Sequence, residues 1–257
     1  MIPLRDQALI GQRFQRDLHS RVRIDFFTRR KLSLLVPGRE DCPYCDDVET
    51  MLRELAGLSD RIALSVHDLE AAGAIAKGLA VDKAPATVIR GQTNRPVRFF
   101  GLPTGSQFVG FIETLLDAAR GAVELAPAVA RQLRKLRSEV RVQVFVSPTC
   151  PYSPLTARAA LRFGLANPKL RVDVLEAAEF PALCQRYAIR AVPVTVIDER
   201  VVVRGALDEA GLLRFLFQVV EGHQVTVDLG RQGPTTPLPE ATGPARPTSS
   251  GGIVLPR

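Results

Sequence analysis

The chain carries a two-cysteine phrase, DCPYCDD at residues 41–47, and a second version, TCPYSPL at 149–155, in which Ser153 stands in place of the second sulfur. Cysteines three apart that open a helical pattern have a defined chemistry. The first sulfur meets the unpaired N–H groups and positive dipole end of the helix, which favour a thiolate. Cys42 is therefore expected to be the exposed nucleophile. Cys45, one turn on, is placed to attack the mixed disulfide and release the product. Pro43 suits the first helical turn, where a missing N–H costs little. Cys150 has the same setting without a local resolving sulfur, so it is expected to capture thiols and hold them. The alternative is a decayed site with Cys150 as a buried residue.

Pro85 and Pro193 each lie 43 residues after the first cysteine of their phrase, heading the strand patterns APATVI (84–89) and VPVTVI (192–197). A proline leading a good strand is unusual unless placed for a reason. Cis peptides are expected there, bringing the backbone of Ala84 or Val192 beside the sulfur to pair with a substrate strand. The expected substrate-binding residues are Tyr44, Ala84 and Pro85 in the first copy and Tyr152, Val192 and Pro193 in the second. Half a zinc site is the competing reading of C-x-x-C, but Cys150 and Cys184 do not make a second such pair and the three histidines lie far apart, so no metal is expected. Cys184, in PALCQRYAI, reads as a small buried hydrophobe, with partnership to Cys150 as the rival idea. His19, His67 and His223 show no catalytic pattern and read as surface or strand residues.

The two phrases are copies. At an offset of 108, CPY falls on CPY, RIALSV (61–66) on KLRVDV (169–174) and APATVI on VPVTVI. Each copy runs from a β-rich stretch (LSLLV at 32–36; VRVQVFV at 140–146) through the cysteine helix, an alternating strand, a short helix, the X-Pro strand and a hairpin strand to a closing helix (105–119; 208–221). That order implies an α/β fold of two units, each a central mixed β-sheet flanked by helices. Residues 5–18 read as an amphipathic helix, 22–28 as an added strand and 126–137 as a helix joining the units. The expected boundaries are 1–122, 123–226 and a Pro/Gly-rich tail, 227–257, with too little core material to fold.

At 257 residues, 46% apolar and 24% charged, the composition is that of a globular chain. No run approaches 18 apolar residues, and Arg5, Asp6 and Arg13 interrupt the start where a signal peptide needs an unbroken apolar run, so no membrane span and a cytoplasmic location are expected. The net charge of +7 concentrates in residues 1–31, where eight Lys/Arg face three Asp/Glu. These are interleaved with core-like Phe14, Leu18, Val22, Ile24 and Phe26, which points to a solvated face and to no nucleic-acid partner.

CPYC with a downstream P-x-T-V-I strand resembles glutaredoxin, and the tandem arrangement resembles the glutaredoxin-like protein disulfide oxidoreductases. RFFGLPTGSQF (98–108), VQVFVSPTCPYSP (142–154), EAAEFP (176–181) and AVPVTVI (191–197) carry the likeness. It covers about residues 5–222. It implies two fused thioredoxin-like units that form, reduce or shuffle disulfides in protein substrates. An upstream reductase or glutathione would supply electrons, and no cofactor is needed beyond a redox-active Cys42–Cys45 disulfide. The family's second dithiol maps onto Cys150 and Ser153, where this chain departs from it. Two other readings are a substrate-holding, chaperone-like protein and an electron carrier between a flavin reductase and a peroxidase.

Overall fold

The computed structural model describes residues 2–29, 42–229 and 236–237. The first unit runs α1 (Leu4–Asp17), β1 (Val22–Thr28), α2 (Cys45–Gly57), β2 (Ile62–Asp68), α3 (Gly73–Gly78), β3 (Ala86–Arg90), β4 (Val97–Phe100) and α4 (Ser106–Arg120). The second repeats it as α5 (Pro127–Leu133), β5 (Val140–Val146), α6 (Ser153–Ala166), β6 (Leu170–Glu176), a 3-10 turn at Ala177–Glu179, α7 (Pro181–Arg186), β7 (Ala191–Val192), β8 (Val194–Ile197), β9 (Val201–Arg204) and α8 (Glu209–Val220). Two more strands follow, β10 (Val225–Asp228) and β11 (Thr236–Pro237).

Nine strands form one sheet in the order β10-β9-β8-β5-β6-β4-β3-β1-β2. In each unit a central strand pairs in parallel with the strand after the cysteine helix and antiparallel with the X-Pro strand. β1 does this with β2 and β3, and β5 with β6 and β8. Residues 22–28 are thus the counterpart of 140–146, not an added strand. The 108-residue register hid this, because the chain from the end of β1 to Cys42 is ten residues longer than from the end of β5 to Cys150. The β-rich stretch 32–36 lies outside the described residues. Residues 126–137, expected to join the units, instead supply α5 to the second. The sheet also crosses the expected tail boundary, since Val227 and Asp228 pair with Val203 and Arg204 of β9. The rest of the tail, apart from residues 229, 236 and 237, is outside the described residues.

The units share the sheet through β4 and β6, parallel neighbours with Arg98 opposite Asp173, Phe99 opposite Val174 and Phe100 opposite Leu175. Arg98 and Asp173 are both buried and ion-paired, and Arg141 Nε reaches the same carboxylate at 2.9 Å. Arg171 donates to the Ala80 carbonyl at 2.7 Å, tying the chain after α3 to the second unit, while Arg98 donates to the Leu79 carbonyl at 3.4 Å within the first. Helix α6 lies over the seam because Gly164 has no side chain: a Cβ there would sit 2.8 Å from Val97 and 2.9 Å from Val172.

One face of the sheet carries α1, α2, α4, α5, α6 and α8, and Phe14, Leu52, Phe111, Phe163 and Leu216 pack there. Each such side chain, fully buried, is worth roughly 1.5–3 kcal/mol. Among the described residues, the helices that cover the opposite face are the short α3 and α7, over a smaller cluster that includes Phe27, Phe145, Cys150 and Cys184. Among the described residues no helix is long and apolar enough to cross a membrane.

Candidate active site

Cys42 and Cys45 form a disulfide with their Cα atoms 5.4 Å apart. Helix α2 begins at Cys45, with Tyr44 as its N-cap, so Pro43 lies in the turn before the helix rather than in its first turn. The Cys45 N–H donates to the Cys42 carbonyl at 3.4 Å, closing the loop that holds the two sulfurs together. Cys42 is 6% exposed and Cys45 1%, which leaves Cys42 the more accessible sulfur, though neither is an open surface group. The Arg29 N–H donates to Cys45 Sγ at 3.3 Å. Asp46 and Asp47 occupy the first turn of α2 and offset part of the helix field that favours a Cys42 thiolate.

The second phrase has the same backbone. Helix α6 starts at Ser153 after the Tyr152 N-cap, and its first turn holds no acid. Ser153 is fully buried, and its Oγ has no hydrogen-bond partner among the described residues. Cys150 is fully buried too, with Sγ 3.5 Å from the Val192 carbonyl. Cys150, expected to capture thiols or else to be a buried residue, is closed to solvent in this structure. Tyr152 is 39% exposed at the rim.

Both expected cis peptides are present, Ala84–Pro85 and Val192–Pro193. Each proline carbonyl accepts from a glycine N–H after the following strand: Gly101 to Pro85 at 3.0 Å and Gly205 to Pro193 at 2.9 Å. These glycines have φ of +100° and +115°, a backbone region that side chains rarely adopt. In the second unit this brings Val192 beside Cys150. Cys184 sits in the same apolar cluster as Cys150 without forming a disulfide to it. Its Sγ donates to the Ala177 carbonyl at 3.2 Å, and burial pushes the thiol up to about 11, which leaves it a poor nucleophile near neutral pH. His67 sits on β2, 3.1 Å from Asp25. His19 and His223 are exposed. Among the described residues no group of three or more His, Cys, Asp or Glu is placed to hold a metal.

Three residues at the junction had no assigned role. Glu176 ends β6, buried, and Glu179 follows in the 3-10 turn, its Oε1 accepting from the Leu102 N–H at 2.7 Å. Burial first, and then Glu179, hold the Glu176 carboxyl well above the ordinary range; burial raises Glu179 to about 7. Burial likewise raises the Tyr44 phenol, with Glu179, Glu176 and Asp47 adding to the effect, so carboxyls of the second unit act on the cysteine phrase of the first. Ser106, first in α4, donates through Oγ to the Cys150 carbonyl at 2.8 Å and through N–H to the Pro148 carbonyl at 2.9 Å. All three lie in or beside stretches carrying the family likeness, EAAEFP and RFFGLPTGSQF, which was the available signal.

Residues 140–217 match the thioredoxin domain family. A protein disulfide oxidoreductase from Aeropyrum pernix K1 superposes with a TM-score of 0.75 at 20% identity, covering 86% of this chain and 95% of that one. This chain is a thioredoxin-fold protein. It carries the fold twice. The NTD_N/C domain of alkylhydroperoxide reductase AhpF from Enterococcus faecalis (V583) is similar, with a TM-score of 0.73 at 19% identity over 84% of this chain and all of that one. Among curated proteins, the F subunit of alkyl hydroperoxide reductase from Pseudomonas putida is 25% identical over 173 residues, 67% of this chain and 31% of that protein. A protein named NADH dehydrogenase from Bacillus subtilis (strain 168) is 23% identical over 153 residues, 59% of this chain and 28% of that protein. The chain thus spans under a third of the length of these curated relatives.

Proposed function

We propose that this thioredoxin-fold chain is a thiol–disulfide oxidoreductase that passes electrons to disulfides in partner proteins through Cys42 and Cys45. The observation that carries the reading is the Cys42–Cys45 disulfide at the start of α2, in a unit that also has a cis proline heading its X-Pro strand. The described state is the oxidised one. From the reduced state, the Cys42 thiolate attacks one sulfur of the partner's disulfide, forming a mixed disulfide and expelling the partner's other sulfur as thiolate. Cys45, deprotonated, then attacks Cys42 Sγ. The internal disulfide returns, the second partner sulfur leaves, and two electrons have moved. A dithiol or reductase of lower potential resets the pair. In this reading Ala84, Pro85 and Tyr44 receive the partner's backbone, and Tyr152, Val192, Pro193 and Cys150 form a second receiving site without turnover.

The electron-carrier version of this activity is supported by the likeness to one domain of alkylhydroperoxide reductase, which suggests a peroxidase as the oxidised partner and a flavin reductase as the donor. Insulin reduction with dithiothreitol as donor tests the core claim. Wild type is expected to turn over, Cys42→Ser to lose activity, and Cys45→Ser to accumulate a mixed disulfide with substrate. Equal rates for wild type and Cys42→Ser would overturn the assignment, and peptide binding without reduction by wild type would favour the substrate-holding alternative.

A further inference from the structure

The two units differ in what meets the edge before the cis proline. In the second unit, β7 pairs antiparallel with β11, placing Thr236 opposite Val192 and Pro237 opposite Ala191. Among the described residues no strand meets residues 83–84 of the first unit, the equivalent edge. The monothiol unit is closed along this edge by the chain's own residues 236 and 237.

We propose that the segment containing Thr236 and Pro237 is an occupant, in cis, of the second unit's peptide-binding edge, shielding Cys150 until an extended strand of a partner protein displaces it. This deepens the functional reading above, because it takes the Val192 edge to be substrate-binding backbone. An extended peptide adds to an exposed strand edge through main-chain hydrogen bonds and needs little sequence complementarity. Val192 is the residue whose carbonyl lies 3.5 Å from Cys150 Sγ, so a strand paired with it passes beside the sulfur.

The contact is built to be reversible. Among the described residues its ladder is two residues long, and Pro237 has no N–H to extend it. Alone, so short a pairing would be sparsely populated. Covalent linkage changes that: seven residues separate Asp228, the last of β10, from Thr236, and so short a connection within one chain gives an effective concentration of about the millimolar range. A partner strand with a longer ladder competes against a two-residue one and wins. Shielding also suits the chemistry. With Ser153 in the resolving position, Cys150 cannot expel a captured partner by itself, and an uncovered thiol would collect dead-end adducts.

The test uses the full chain, a chain ending after Leu229, which keeps all nine strands of the main sheet, and full-length Thr236→Pro. Backbone hydrogen exchange at Ala191 and Val192, alkylation of Cys150 by peptide mapping, and insulin reduction are measured on each. Truncation and Thr236→Pro are expected to speed both exchange and Cys150 alkylation about tenfold. A synthetic peptide of residues 230–243 at millimolar concentration should restore protection to the truncated chain. Unchanged exchange at Val192 would overturn the docking. Faster exchange with unchanged alkylation would overturn the shielding. Insulin reduction through Cys42 and Cys45 is expected to be equal in all three proteins. Its absence from all three would sink the functional reading, separately from the docking.

Discussion

Glu179→Gln removes a charge that the folded protein resists. The Glu179 carboxyl rises from 4.5 to about 7, chiefly through burial. A group whose folded value lies above its unfolded one favours folding while protonated, so the contribution is full below about pH 4.5 and is lost as pH rises through about 7. With about 1.4 kcal/mol per pKa unit, the wild type gives up roughly 2.5 kcal/mol through this residue between about pH 5 and pH 8. Glutamine keeps the shape and an acceptor for the Leu102 N–H, and it does not titrate. The assay is urea unfolding of the oxidised protein, wild type and variant, at both pH values. The double difference cancels the titrating groups that Glu179 does not influence; Glu176, whose carboxyl Glu179 holds up, is relieved in the variant and acts in the same direction. Because Glu179 keeps some solvent contact, the gain of the variant at the higher pH relative to the lower should fall between roughly 1 and 2.5 kcal/mol. A gain below roughly 0.5 kcal/mol would mean that the carboxyl is ionised in the folded protein without penalty, and the burial argument would fail.

Gly101→Ala should destabilise the protein by about 2–4 kcal/mol in the same assay, since a Cβ at φ +100° would meet Glu176 Cβ at 2.6 Å and Glu179 Oε1 at 2.8 Å. Arg98→Leu should cost about 2–4 kcal/mol, the lower end if Arg141 and Arg171 still neutralise Asp173, read as a fall in urea midpoint. Ser153→Cys should form a second internal disulfide with Cys150 under mild oxidation, seen as the loss of two hydrogens by mass, because α6 begins at Ser153 as α2 begins at Cys45.

What could be read from residue order was whatever depends on local spacing. The two C-P-Y phrases, the prolines 43 residues beyond them and the strand between needed only a self-comparison, and the cis peptides and the doubled α/β unit followed. The same comparison misplaced 22–28, because an insertion between a strand and its site changes register without changing topology; hydrogen bonding to β2 and β3 identifies the strand where spacing cannot.

The amino-acid sequence by itself determined which atoms can do chemistry: three cysteines at or near helix starts, one position where serine replaces sulfur, and two X-Pro strands. Only the tertiary structure decided how those groups are used. Joining β4 to β6 makes one sheet of two units, brings Glu176 and Glu179 to bear on Tyr44 and sets Ser106 against the Cys150 loop. It also buries Cys150 and places Thr236 opposite Val192. The reason is physical: a thiol's reactivity depends on exposure and on nearby charges. Both are sums over neighbours from distant parts of the chain, and no local pattern records them.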